Sequence, residues 1–384
     1  MILFLRSSDI GIDARLRRYA RALAPSGIAH AALFWDRGEA SVSETGIRAI
    51  RYRAPAGYAS RAGTGLRLIG LNLFALRRMW RMRRELTLVH AVDLDTAASA
   101  LALRLLAGVP YVYDIYDSYP DSRGLTGWVR RPFDWLERKV IARAAMVIIA
   151  DECRVAQHQP IPPERLMIVE NVPDAPRPDR TPTAPGAALR IAYLGTLEAR
   201  YRGLEDMLAL VEEREELEFD IGGAGALESL VREAAARCPR IRFHGPMAHD
   251  AGLAMMGRCD LILGLYYADV PNHRFAAPNK YFEHLLLGRP LLTSTHTPPG
   301  DKVAAFATGW ASDDGKQALS ATLDAMLADR AQLRLRGENA ARLWDGQFAD
   351  YFARAIAGDY VTAVQRHARA APESRHRSTI SAIA

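Results

Sequence analysis

The feature that most constrains this chain is an alternation: short apolar runs are separated by amphipathic stretches of helical period, and the alternation stops once and then restarts. Ile2–Leu5, Ala31–Trp35, Leu86–His90, Val109–Tyr113 and Met146–Ala150 read as buried parallel strands. Helical patterns at Ala14–Ala24, closed by Gly27, at Thr96–Leu106 and at Pro132–Ala144 lie between them. The break is Pro173–Ala188, PDAPRPDRTPTAPGAA, whose five prolines disfavour regular structure and mark a linker. The pattern then resumes with strands at Arg190–Leu194, Glu218–Ile221, Ile241–His244, Leu261–Leu265 and Pro290–Ser294. Helices are predicted at Leu204–Arg214, Leu227–Cys238, Asp250–Met256 and Asn279–Leu287.

Two doubly wound α/β domains are therefore expected, and 384 residues suit two cores. The expected division is 1–172, a linker 173–188, a second domain 189–345, a helix at 346–365 returning to the first domain, and a polar, basic tail at 366–384. Open α/β sheets bind ligands beyond the carboxyl ends of their strands, which places the expected active site in a cleft faced by both domains.

Composition excludes several classes. Apolar residues at 49% and charged residues at 24% describe a globular chain rather than a disordered one. No run approaches the roughly 20 apolar residues that span a bilayer. Cys153, Cys238 and Cys259 form neither a CxxC pair nor a zinc spacing, which suits a reducing cytoplasm and predicts no metal. Met1 leads directly into Ile2–Leu5, which reads as a first strand rather than a secretory leader. The net charge of +6 comes almost wholly from arginine, since only Lys139, Lys280, Lys302 and Lys316 are lysines.

The richest segment is Ala277–Ser294, APNKYFEHLLLGRPLLTS, where Pro278 precedes a helix opening at Asn279 and Gly288 ends it. Lys280 and Glu283 are three apart and share a face at the helix N-terminus. A lysine beside unpaired N–H groups and the positive dipole end suits a diphosphate. A carboxylate one turn on can accept both ribose hydroxyls. The same spacing also describes an ordinary surface ion pair. A neighbouring segment, YLGTLEARYRGLE, ends a strand at Gly195 and carries Arg200 and Arg202, arginines placed as a phosphate clamp.

These blocks resemble the sugar-nucleotide domain of GT-B fold glycosyltransferases, particularly glycosyltransferase family 4. GTL…RGLEDML is similar to the family's phosphate loop, IGGAGALESLV to its glycine turn, IRFHGPM to its base-binding loop, and PNKYFEHLLLGRPLLTS to its ribose and diphosphate helix. In the first half, DARLRRYARALAPSG, HAVDLDTAASA and VYDIYDSYPD resemble that group's acceptor domain. The resemblance covers about residues 1 to 345. It implies that Glu283 binds ribose, that Arg202 and Lys280 bind the diphosphate, and that backbone near His244 and Met247 meets the base. The sequence departs from the family's commonest form at Phe275, where a first glutamate would stand, at Thr196 in the phosphate loop, and at Tyr116 in place of a histidine. A lysine-bearing helix without the first glutamate is similar to that of xanthan-type glucuronosyltransferases, which invert, and implies a uronic acid as one donor.

In the first half, Gly11 precedes a helix and could meet a ligand phosphate, or serve a strand-to-helix turn capped by Asp13. Asp93 and Asp95 either face the cleft or cap the helix beginning near Thr96, and capping is the favoured reading. Glycosyl transfer needs a base or a group that steadies an oxocarbenium-like charge, and Asp117 and Asp151, each just after a strand, are the candidates, with a turn role as the alternative. Arg61–Leu86 mixes large apolar residues with seven arginines, and WVRRPFDWLERK at Trp128–Lys139 is a second basic aromatic cluster. Such segments lie on anionic lipid, with Arg77, Arg78, Trp80, Arg81 and Arg84 as the contact, or else form core with solvated arginines.

The expected function is metal-independent transfer, with no cofactor, of a hexose or uronic acid from a nucleotide-sugar, UDP favoured. The acceptor expected is a polyprenyl-diphosphate-linked saccharide of exopolysaccharide or capsule synthesis, at the cytoplasmic face of the plasma membrane. The alternatives are a sugar-nucleotide epimerase of the same fold and a nucleic-acid-binding protein. The second lacks any recognised motif, and its arginines sit beside leucines rather than in an aromatic stripe.

Overall fold

A computed structural model describes residues 1–8, 13–37, 47–54, 61–158, 160–178 and 188–368, without the side chains of 61–64. Gly11 and most of the linker and tail lie outside these residues. The chain divides into two compact units. The first is Met1–Glu170 joined by the chain from Tyr351 onward, and the second is Asn171–Asp350.

The first unit is built on a seven-stranded sheet in the order β3-β2-β1-β4-β5-β6-β7. Its strands are β1 (Ile2–Arg6), β2 (His30–Asp36), β3 (Arg48–Arg53), β4 (Leu88–Val92), β5 (Tyr111–Ile115), β6 (Met146–Ile149) and β7 (Leu166–Ile168), all paired in parallel. The β1, β4, β5 and β6 strands are buried on both faces almost throughout, as helix-covered parallel strands must be. The helices Arg61–Arg81, Asp93–Ala107 and Gly127–Arg143 bury Leu71, Ala75, Met79, Leu103, Val140 and Ile141 in this core. The third of these begins before Pro132 rather than at it.

The second unit repeats the plan with six parallel strands in the order β10-β9-β8-β11-β12-β13. They are β8 (Leu189–Leu194), β9 (Leu217–Gly222), β10 (Ile241–Gly245), β11 (Leu261–Gly264), β12 (Leu291–Ser294) and β13 (Gly309–Ser312). Arg177 joins this unit, donating to the Leu286 carbonyl at 3.1 Å and pairing with Asp345 at 2.6 Å.

The expected helix at 346–365 crosses the division between units. Up to Asp350 the chain belongs to the second unit, and from Tyr351 to the first. There Tyr360, in a π-helical stretch Phe352–Tyr360, stacks on Tyr19 at 4.2 Å and meets His90 Nδ1 through its hydroxyl at 2.9 Å. His90 Nε2 lies 3.2 Å from the buried Asp114, which pairs with Arg15 at 3.0 Å. A buried charge stays affordable only with such partners.

Candidate functional site

In each sheet the strand order reverses once, and adjacent connections leave a crevice at that point. In the second unit the reversal is between β8 and β11. Gly195 follows β8, and Tyr266 stands two residues beyond β11. Lys280, in the first turn of the helix Asn279–Leu287, reaches Gly195 and Gly264 at the ends of these two strands. A Cβ on Gly264 would stand 3.2 Å from Lys280 Cδ, and one on Gly195 2.9 Å from its Nζ, so both glycines make room for this side chain. The ammonium lies 4.3 Å from the centre of the Tyr193 ring, and the Arg202 guanidinium lies 4.6 Å from that of Tyr266. Two cations thus rest on two aromatic faces, which attract them through the ring quadrupole.

Glu283 is buried one turn after Lys280. Burial raises its carboxyl above the usual range, against the pull of Lys280 and of His249, whose Nδ1 is 3.9 Å away. Burial likewise lowers the Lys280 ammonium to about 8, opposed by Glu283 and reinforced by Arg202. This is not the solvated i, i+3 pair of a surface helix. The helix opens after Pro278 with no side-chain cap, so its first-turn N–H groups supply a positive end to the same crevice. Gly288, left-handed at φ 61°, closes it. His284 is structural: it is buried, held down to about 3 by desolvation, and bonded through Nδ1 to the Arg289 carbonyl at 2.9 Å.

The glycine turn after β9 shapes the Gly195 loop. Gly195 N donates to Gly222 O at 3.1 Å and Leu197 N to Ala224 O at 3.0 Å. A Cβ on Gly223 would stand 1.8 Å from the Gly195 carbonyl oxygen, so only glycine permits this approach. Met247 packs on the same turn, its Sδ 2.7 Å from where a Gly222 Cβ would be. His244 is exposed and pairs with Asp220 at 2.8 Å. Arg200 is exposed at φ 69°, its N–H donating to Glu205 at 2.8 Å, and Asn279 is exposed. Gly195, Arg202, Lys280 and Glu283 therefore come together, while Arg200 and Asn279 stand at the surface. Sequence reasoning missed Tyr193 and Tyr266; the available signal was an aromatic residue close to each strand end flanking a reversal.

In the first unit the reversal is between β1 and β4. Arg6 closes β1 and pairs with Asp13 at 2.8 Å and Asp93 at 2.7 Å. Asp93 directly follows β4 at φ 58°, a left-handed conformation that costs a non-glycine residue about 1–3 kcal/mol. The expectation that Asp93 and Asp95 cap a helix near Thr96 is corrected: the helix begins at Asp93, after Val92, with no side-chain cap. Asp93 Oδ1 instead accepts from Tyr116 N at 2.8 Å and Asp117 N at 3.3 Å. Asp95 accepts from Ser7 Oγ at 2.8 Å and Arg123 at 3.0 Å. Asp13 caps the helix Ala14–Leu23 by accepting from Leu16 N at 2.9 Å. Of the two expected catalytic carboxylates, Asp117 has a side chain 53% exposed and pairs with Arg154 at 3.3 Å. Asp151 is buried and caps a short 3-10 turn through Cys153 N at 3.1 Å.

The helix Arg61–Arg81 is apolar on two sides. Leu71, Ala75 and Met79 face the core, and Leu66, Ile69, Leu73 and Trp80 are exposed, Leu66 at 77%. Arg77, Arg78, Arg81 and Arg84 are exposed beside that stripe. Among the described residues no helix is long and apolar enough to cross a membrane, and no group of three or more His, Cys, Asp or Glu is placed to hold a metal.

Comparison with known proteins agrees with this architecture. Residues 11–172 match a family model described as a glycosyl transferase 4-like domain. No curated protein sequence matches the chain. Among solved structures, sucrose-phosphate synthase from Thermosynechococcus elongatus superposes with a TM-score of 0.67 at 15% identity, covering 100% of both chains. HepE from Anabaena, in complex with UDP-glucose, gives 0.63 at 16% identity over 96% of this chain and 98% of its own. WaaG, a glycosyltransferase involved in lipopolysaccharide biosynthesis, gives 0.62 at 15% identity over 93% and 98%. The chain therefore has the GT-B fold of these structures, and its N-terminal region is similar to a glycosyl transferase 4-like domain.

Proposed function

We propose that the protein transfers a hexose or a uronic acid from a nucleotide-sugar, with UDP as the favoured nucleotide, to a polyprenyl-diphosphate-linked saccharide at an anionic membrane surface. Transfer needs no metal in this reading, because Lys280, Arg202 and the first-turn N–H groups supply the positive charge a leaving diphosphate requires. The observation that carries the donor half is the Lys280–Glu283 helix set against Gly195 and Tyr193. Glu283 is the bidentate acceptor for two ribose hydroxyls, and the chain around His244 and Met247 meets the base. HepE, whose solved complexes contain UDP and UDP-glucose, lends the choice of nucleotide its support. The acceptor half rests on the exposed Leu66, Ile69, Leu73 and Trp80 with their neighbouring arginines. Exopolysaccharide or capsule synthesis at the cytoplasmic face of the plasma membrane is the setting this implies.

A thermal-shift series with UDP, GDP, ADP and their sugars tests the donor assignment, since a ligand that binds only the folded state raises its melting temperature. Stabilisation by the uridine series alone is the expected result. Equal, negligible shifts from all three nucleotides would remove the assignment.

A further inference from the structure

Lys280 is held in the second unit without an oxygen of the protein to hold it. Among the described residues its ammonium makes no hydrogen bond and no close ion pair, and what it rests on is the face of Tyr193, whose ring centre lies 4.3 Å away. Arg202 differs. It rests on Tyr266 at 4.6 Å, but its Nε also donates to Glu198 at 3.0 Å, so a carboxylate fixes it as well.

Tyr193 has a second contact. Buried near the end of β8, it donates its hydroxyl to the Thr196 carbonyl at 2.6 Å, across Gly195. Burial raises its phenol above the usual range, so the hydroxyl keeps the proton it donates. A Cβ on Gly195 would stand 3.3 Å from that hydroxyl and 2.9 Å from Lys280 Nζ, so turn, ring and ammonium close on one point. We infer that Tyr193 is a positioning residue of the donor site, whose hydroxyl fixes the turn at 195–197 while its ring holds the Lys280 ammonium with its N–H bonds free of any protein oxygen and open to the diphosphate. This rests on the nucleotide-sugar reading above.

The physical reason lies in what a ring does and does not take from a cation. A carboxylate in the place of Tyr193 would accept the N–H bonds and cancel the charge. An aromatic face attracts the ammonium through its quadrupole and leaves the charge uncancelled. The charged groups around Lys280 are Glu283 on the same helix, which favours the ammonium, and Arg202 from the segment after β8, which opposes it, while His249 lies 3.9 Å from Glu283. Burial outweighs Glu283, and the ring works against burial.

The test is a double-mutant cycle on UDP affinity, measured by calorimetry at pH 7 in the full chain. Tyr193→Phe keeps the ring and loses the hydroxyl, and should weaken binding about threefold, equally with Lys280 present and in Lys280→Met. Tyr193→Leu removes the ring too. Relative to Tyr193→Phe it should weaken binding about fivefold with Lys280 present and under about twofold in Lys280→Met. A pH profile separates positioning from a general loosening of the fold. The alkaline fall in affinity, expected near pH 8 in wild type, should stay there in Tyr193→Phe and move lower in Tyr193→Leu, because without the ring the ammonium gives up its proton sooner. Equal effects of Tyr193→Leu in both lysine backgrounds, or an alkaline fall that does not move, overturn the inference. If Tyr193→Leu does not fold, a trifluorinated phenylalanine at position 193, which keeps the ring's shape and withdraws its negative face, takes its place in the same cycle with the same expectations. Failure of wild type to bind UDP overturns instead the donor reading beneath it.

Discussion

The two sheets each reverse strand order once, and the two reversals are built from opposite materials. In the second unit the crevice holds two cations on aromatic rings, a buried glutamate and a backbone bared by glycines. In the first it holds one arginine shared between two aspartates, with a third, Asp95, tied to Ser7 and Arg123. A diphosphate asks for positive charge and close backbone approach, and a reacting hydroxyl asks for a carboxylate. One topology therefore supplies the place twice, and the residues at the strand ends decide what it can hold. The outer surfaces differ too. Of twelve large apolar residues exposed among the described ones, nine belong to the first unit and only Leu230, Phe306 and Leu335 to the second.

The largest expected effect sets a glycine of one unit against a glycine of the other. Gly223→Ala would drive a Cβ to 1.8 Å from the Gly195 oxygen, where two backbone segments meet and neither side can yield cheaply. It should cost about 4 kcal/mol or more and abolish nucleotide binding. Gly108, left-handed at φ 68° with nothing within 4 Å of a Cβ, ends the helix Asp93–Ala107 in the first unit. Its alanine variant should cost only the conformational strain, about 1–2 kcal/mol. Urea unfolding of both variants checks the ranking, and similar losses would mean that close approach is not what the glycine turn provides.

Much of this was legible beforehand because buried parallel strands announce themselves as apolar runs. The strands that escaped notice lie at or near sheet edges: β3, RAIRYR, has only half-buried or exposed residues, β7 is three residues long, and β13 is the mixed GWAS. Lys280 and Glu283 were legible because helical spacing alone puts them on one face. The enclosure of Lys280 was not, since it depends on Gly195 and Gly264, which are distant in sequence. The capping reading of Asp93, favoured over a place facing the cleft, fails for a similar reason. A cap is defined by local spacing, whereas the φ of Asp93 and its bonds to Tyr116 and Arg6 depend on three strands meeting.

The next effect probes the outer surface that distinguishes the first unit. Arg77, Arg78, Arg81 and Arg84 lie beside exposed Leu73 and Trp80. If that face meets anionic lipid, each arginine adds about 1 kcal/mol, fading over a Debye length of roughly 8 Å. Changing all four to Gln should release the protein from anionic vesicles in low salt, as 0.5 M salt should for wild type, with UDP affinity unchanged. Equal pelleting of wild type and the quadruple variant would show that this helix is not the contact.

The smallest effects lie within the cation-rich crevice and sharpen the contrast by charge rather than by shape. Lys280→Ala and Glu283→Ala should each weaken UDP-sugar binding by about 1–3 kcal/mol, the range for a lost charged hydrogen bond, read by calorimetry with the fold intact. Unchanged affinity in both would remove this helix from the donor site. Lys280 adds a pH test of its own. Its ammonium in the free protein is lowered to about 8 by burial, so the cation that meets the diphosphate prevails below that pH and is lost above it. Donor affinity should therefore fall roughly tenfold from pH 7 to pH 9, about 1.4 kcal/mol. Lys280→Met should bind weakly at both pH values with no such fall.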